Sequence, residues 1–288
     1  RRQAGGRTIA PARIMTLRNG LSEELNRQGN EHFSRGLYTD AYTCYAKALE
    51  CDRLTGDQRA LASTLGNLGN ICAVSGRRES AQTYYQEVLE LQKILGDERG
   101  IGTTLGNLGN LRADAGEWDR AKAYYLEALD LMSKVHDEAG KAVLFSDLGL
   151  VARETKEFDQ AIGYYEQSLV LMRRLGNQGG VADAWRMIGR TFLMQQRYDD
   201  AIACCQTSQS IAERSRDELR TGGARYLLAQ CYEETGKLRE AADLLELVVR
   251  MDRKYQLPKL EENIQRLAAL RASLAGQDGP PPHRKARA

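Results

Sequence analysis

Asparagine is the residue type whose spacing in this chain could do chemistry. Asn26 and Asn30, Asn67 and Asn70, and Asn107 and Asn110 recur in three successive stretches, about one helical turn apart within each pair. A carboxamide offers both a donor and an acceptor, so it can clamp one peptide unit by its N–H and its C=O. A column of such groups suits an extended segment read through its main chain, with affinity tolerant of that segment's sequence. Asn is a poor helix former, so its return at matching positions argues for a purpose. The competing reading is decoration of a solvated helix, copied when the repeats duplicated. Further along, the corresponding stretches carry Asp147, Leu150, Arg153, Arg186, Arg190, Arg225 and Gln230. Arg153, Arg186 and Arg190 could form a basic stretch that reads an acidic ligand. Equally, they could pair with Glu154, Asp183 and Asp147 on adjacent turns, where each pair is worth little.

Other chemistry is hard to assemble. His32, His136 and His283 are dispersed, so no Ser-His-Asp or Cys-His arrangement is readable. Gly100-Ile101-Gly102 and Gly179-Gly180 lack the preceding strand and the following Lys-Ser/Thr of a phosphate loop. Asp199 and Asp200 sit at a helix start, where they complement the helix dipole. The six cysteines (Cys44, Cys51, Cys72, Cys204, Cys205 and Cys231) form no CxxC, and packing on helices accounts for them. The sequence is therefore expected to be no enzyme, to hold no cofactor or metal, and to belong in a reducing, cytoplasmic setting. A net charge of +2 gives no whole-molecule pull toward nucleic acid or membrane. No apolar run approaches the roughly 20 residues that a bilayer span needs.

The elements that position the asparagines announce themselves by repetition. Gln28-Gly29-Asn30, Leu68-Gly69-Asn70 and Leu108-Gly109-Asn110 return every 40 residues. The phrase then drifts through Leu148-Gly149-Leu150, Ile188-Gly189-Arg190 and Leu228-Ala229-Gln230. Ala41, Ala81, Ala121, Ala161, Ala201 and Ala241 keep the same step. An unbroken register of this period means a stacked repeat array. In residues 57–96, Leu61, Leu65, Leu68, Cys72 and Ala73 make one helix face, and Ser75-Gly76 stops that helix. A second helix starts near Glu79 and buries Ala81, Tyr84, Tyr85, Val88, Leu91 and Leu95, and Gly96-Asp97 closes the unit. Gly69 and Ala81 are expected to let the two backbones approach closely, with Tyr85 and its equivalents Tyr45, Tyr125 and Tyr165 as large fillers nearby. The expected organisation is a flexible basic segment over 1–20 and repeats near 21–56, 57–96, 97–136, 137–176, 177–216 and 217–256. A capping helix over 258–275 and a disordered basic tail over 276–288 complete it. Arg at position 1 leaves open that the chain is part of a longer protein.

The pattern resembles the tetratricopeptide repeat on Leu65, Leu68, Gly69, Cys72, Ala81, Tyr85 and Val88 and their counterparts over residues 21–255. Its period is 40 rather than 34, and the usual closing proline is absent. The joints Leu95-Gly96-Asp97, Val135-His136-Asp137, Leu175-Gly176-Asn177 and Ser215-Arg216-Asp217 look like those of a lengthened subgroup. That subgroup includes Pins-type spindle-orientation adaptors and bacterial regulators. The resemblance implies an all-α, right-handed α-solenoid of six helix-turn-helix units plus the capping helix, with a groove lined by the first helices. It also implies an adaptor or scaffold that binds an extended peptide segment of a partner protein. A peptide-responsive sensor of the bacterial signalling type, a fragment of a larger signalling protein, and a self-associating scaffold are the other readings. Chaperone-cofactor repeats of this kind grip a terminal carboxylate with cations, but those positions read Asn26, Thr103 and Asn107, so that mode is not expected.

Overall fold

The computed structural model describes residues 11–277. The first ten residues and the tail from 278, both expected to be flexible and basic, lie outside the described residues. Among the described residues every regular element is an α-helix. The helices come in pairs: α1 (Pro11–Ser34) with α2 (Tyr38–Thr55), α3 (Gln58–Val74) with α4 (Arg78–Leu95), and α5 (Glu98–Ala113) with α6 (Trp118–Lys134). Then follow α7 (Glu138–Glu154) with α8 (Phe158–Arg174), α9 (Gln178–Met194) with α10 (Tyr198–Arg214), and α11 (Glu218–Glu234) with α12 (Leu238–Tyr255). A last helix, α13 (Leu260–Gln277), ends the described chain. Two boundaries differ from expectation. Residues 11–20 are helical rather than flexible, because α1 begins at Pro11, a residue well suited to a first helical turn. The last helix sits two residues later than the sequence suggested.

One turn geometry sets the register. One to three residues past the end of each helix from α1 to α12, a residue adopts a left-handed conformation at a 20-residue step, from Gly36, Gly56 and Gly76 onward to Gln256. At Gly76 the amide donates to the Ala73 carbonyl and the Arg77 amide to the Cys72 carbonyl, at 3.0 and 2.8 Å. Those two bonds satisfy carbonyls that the helix end leaves open. Glycine fills most of these positions, but His136, Lys156, Gln196, Arg216 and Gln256 take the same φ, between 52° and 66°. Each inter-repeat joint then restarts with a side-chain cap. Asp57, Asp97, Asp137, Asn177 and Asp217 accept from backbone amides two or three residues on, at 2.9 to 3.1 Å. The turns inside a repeat, at Leu37, Arg77, Glu117, Glu157, Arg197 and Lys237, have no side-chain cap.

The chain divides into two compact units, residues 1–140 and 141–288. In the first, the Ala41, Leu65, Leu68, Ile71 and Val88 side chains pack around Tyr45, and Cys72, Ala81, Leu108 and Leu111 pack around Tyr85. In the second, Ala152, Ala161 and Ile188 pack around Tyr165. Cys205, Leu227 and Leu228 form the next layer. The end of the second unit is closed by α13, whose Leu267 and Leu270 lie on Ala242, Leu245, Val248 and Val249. The buried Asn263 amide also donates to the buried Asp252 carboxylate at 2.7 Å. All six cysteines are free thiols, four of them buried and Cys44 and Cys51 half-buried.

Candidate functional site

The glycine column, expected to let the paired backbones approach closely, also receives the large tyrosines of the second helices. A Cβ on Gly69 or Gly109 would lie 2.5 Å from the ring of Tyr85 or Tyr125. The missing side chain therefore makes room first of all for a tyrosine ring, and at Gly189, where Cys205 replaces the ring, the Ala201 carbonyl of the facing helix also lies 3.2 Å from where a Cβ would be. Those rings are buried, with Tyr85 3% and Tyr125 0% exposed. A buried phenol needs an acceptor, and the Asn one residue after each glycine supplies it. Tyr45 donates to Asn30 Oδ1 at 2.7 Å, Tyr85 to Asn70 at 2.8 Å, and Tyr125 to Asn110 at 2.6 Å. Burial pushes the Tyr85 hydroxyl up to about 12, so it stays protonated and donates at any ordinary pH.

The second asparagine column binds sideways to the neighbouring helix. The Asn67 amide donates to Asn26 Oδ1 at 3.2 Å, and the Asn107 amide to Asn70 Oδ1 at 3.4 Å. Asn26 in turn donates to Thr64 at 2.8 Å, and Thr64 to the buried Asp52 carboxylate at 2.6 Å. These six asparagines are thus brought together on α1, α3 and α5, whose faces adjoin. After these bonds the Asn30, Asn70 and Asn110 amides remain as donors, and the Asn67 and Asn107 carbonyls remain as acceptors. Asn30, Asn70 and Asn110 are exposed and Asn67 and Asn107 half-buried. The pattern supplies both halves of what a peptide main chain requires.

In the second unit the ladder lapses. Leu150 replaces the asparagine beside Gly149, and the Tyr165 hydroxyl instead lies 3.5 Å from Arg153 Nη1. Arg153 is 4% exposed and pairs with Glu154 at 2.8 Å, so it is a buried structural cation rather than a surface reader. Arg186 pairs with Asp183 at 3.2 Å, and Arg220 bridges Asp183 and Asp217. Arg225 pairs with Glu213 at 2.8 Å. Asp147 pairs with none of the arginines; it is half-buried, and desolvation pushes its carboxyl up to about 7. Arg190 makes no hydrogen bond or ion pair among the described residues. The Tyr–Asn bonds and the roles of Thr64 and Asp52 were not read from the sequence. The equal spacing of Asn30, Asn70 and Asn110 with Tyr45, Tyr85 and Tyr125, fifteen residues apart each time, was the signal that could have revealed the first. Among the described residues no group of three or more His, Cys, Asp or Glu side chains could hold a metal ion, and no helix is long and apolar enough to cross a membrane.

The family model described as tetratricopeptide repeat matches residues 24–94, 100–174 and 180–254. The chain belongs to the tetratricopeptide repeat family. Three solved structures are similar to it in fold. BtubC from P. vanneervenii aligns over 98% of both chains at 18% identity, with a TM-score of 0.59. A signal-transduction ATPase with numerous domains and a tetratricopeptide repeat sensor, from Pyrococcus horikoshii, aligns over 94% of this chain at 14% identity, with a TM-score of 0.73. This chain spans only 42% of that protein. A Rap protein complexed with Competence and Sporulation Factor aligns over 88% of this chain and 75% of its own, at 16% identity and a TM-score of 0.64. At such identities the likeness is one of fold. No curated protein matches the chain by sequence.

Proposed function

We propose that this tetratricopeptide repeat chain is an adaptor whose first-helix face binds an extended segment of a partner protein, in the manner of the Pins-type subgroup. The observation that carries the reading is the set of unsatisfied amide donors and carbonyl acceptors on Asn30, Asn67, Asn70, Asn107 and Asn110. They are presented in register by three helices and suit a main chain with alternating N–H and C=O groups. The chemistry is recognition, with no bond made or broken, and needs neither nucleic acid nor membrane as partner. A sensor that answers to a bound peptide is the second reading; it is favoured by likeness in fold to a protein described as holding a tetratricopeptide repeat sensor.

A random library of 12-residue peptides selected against the full chain tests the proposal. Bound peptides should tolerate side-chain changes yet lose affinity when single backbone nitrogens are methylated, because methylation removes the donors that the carbonyls of Asn67 and Asn107 accept. The protein-side variant is Asn70→Asp with Asn110→Asp. It keeps an oxygen for each tyrosine hydroxyl while removing the free amide donors. The reading is overturned if no peptide is selected, or if neither the methyl scan nor the double variant weakens binding.

A further inference from the structure

The last helix pair departs from the packing of the earlier ones. Leu65, Leu105, Phe145 and Trp185 recur at one step on the first helices, and Leu65 and Leu105 are 0% and 4% exposed. On α11 that place is held by Arg225, just after Gly222, Gly223 and Ala224. A cavity of about 580 Å³ lies there, between α11, the end of α10 and the second half of α12, and its volume is that of a small-molecule site. Thr221 and Arg225 on its wall lie roughly 180° and 140° around α11 from Gln230, at about 100° per residue. The cavity is therefore on the other side of that helix from the column to which the asparagines belong. Its floor is apolar: Met251 Sδ sits where a Cβ on Gly222 would stand, and Leu247 beside it is left 38% exposed.

The rim is cationic. Arg216, Arg225, Arg250 and Lys254 face the cavity with the carboxylates Glu213 and Glu218. Each carboxylate already has a cation, Glu213 at 2.8 Å from Arg225 and Glu218 at 2.6 Å from Lys254. Arg250 pairs with Glu246, which Arg271 also holds at 2.6 Å, so that outer group leaves the excess of two positive charges unchanged. Arg216 makes no hydrogen bond or ion pair among the described residues. It keeps a φ of 55° at a step where Gly56, Gly96 and Gly176 stand in other joints, a strained placement of the kind that collects at ligand sites. The Arg225 Nε–H is buried without an acceptor, which costs free energy until one arrives. We propose that this cavity binds a small phosphate monoester with an apolar body. The phosphate, close to doubly charged at pH 7, lies among the guanidiniums of Arg216, Arg225 and Arg250, whose planar forks match its oxygens. The body covers Leu247 and Met251. This site is independent of the adaptor reading above.

Calorimetric titration of the full chain with 1-naphthyl phosphate tests the proposal. The ester should saturate a single site, and 1-naphthol and inorganic phosphate should each bind on the order of tenfold more weakly or less. Arg216→Gly removes the unpaired cation at a position glycine favours, so it should weaken the ester about tenfold without lowering the melting temperature. Arg225→Leu restores the filler that Leu65 and Leu105 provide and should weaken it likewise. Asn70→Asp with Asn110→Asp should leave it unchanged. A 12-residue peptide carrying phosphotyrosine should bind no better than the free ester; tighter binding would assign the phosphate to a protein and overturn the small-molecule reading. No saturable binding of 1-naphthyl phosphate up to about 5 mM, inorganic phosphate binding as tightly as the ester, or an affinity untouched by both arginine variants would overturn the site.

Discussion

At the scale of single residues, small groups here serve larger ones. Gly109 is empty so that the Tyr125 ring can pack against α5, and Asn110 is polar so that the same tyrosine can bury its hydroxyl. Gly109→Ala should destabilise the chain by about 1–3 kcal/mol, because the added methyl meets a ring that is 0% exposed and cannot swing away. Denaturant midpoints measure it, and an unchanged midpoint would mean that the ring slides. Asn110→Ala should cost about 1–2 kcal/mol by orphaning the phenol, whereas Asn110→Asp keeps the acceptor. For that reason an alanine scan of these asparagines mixes folding with recognition. Asp147 gives a pH signature. Its carboxyl is raised from an ordinary value of 3.8 to about 7 by desolvation, so the folded state binds the proton more tightly than the unfolded chain. The stability tied to this group is complete below about pH 4 and drains away as pH rises through 7. Asp147→Asn should match the parent near pH 3 and exceed it at pH 8, on the order of 1–3 kcal/mol. Equal urea midpoints for the two proteins at pH 8 would contradict the burial argument.

At the scale of elements, the left-handed residue after each helix is the hinge of the register. Where glycine is absent, the backbone holds an L-residue in a conformation that costs roughly 1 kcal/mol. Arg216 (φ 55°) and Lys156 (φ 66°) are the clearest places to relieve it. Arg216→Gly should raise the melting temperature by a few degrees, since φ > 0 is free for glycine and the position closes α10 in any case. No rise, or a fall, would show that the arginine side chain earns more than its backbone costs. In the opposite direction, Asp97→Ala removes the side-chain cap on α5, whose oxygen accepts from the Gly100 amide at 2.9 Å, and should cost about 1 kcal/mol. The contrast between capped joints and uncapped internal turns suggests that each pair is held together by packing and each new pair is started by a cap.

At the scale of the whole molecule, stability in a repeat array is a sum over neighbours, so its ends decide much. Ending the chain at Gln256 removes α13 and uncovers Ala242, Leu245, Val248 and Val249. The shortened chain should be less soluble and show early hydrogen exchange in α12, while α3 and α4 keep their protection. Full protection of α12 in the shortened chain would mean that α13 is a passenger. Light scattering across concentration bears on self-association: a single mass throughout would remove the scaffold reading.

Much of this was legible in the residues alone. The 40-residue step, the helix pairs, the stops at Gly76 and Gly96, the buried face of α3 and α4 and the covering stripe of α13 follow from period and turn chemistry, which act within a few residues along the chain. The α1 start and the work done by Gly69 and Gly109 did not follow. Nor did the sorting of three arginines into one buried (Arg153), one paired (Arg186) and one free (Arg190), because sequence spacing cannot say which acid a long side chain reaches. The asparagines show the divide most clearly. Their recurrence marked them as important, but only the folded chain showed that one oxygen of each of Asn30, Asn70 and Asn110 is already committed to a tyrosine fifteen residues away. Local propensities decide which segments become helices; which polar atoms remain unspent depends on contacts between helices, and those exist only once the helices have packed.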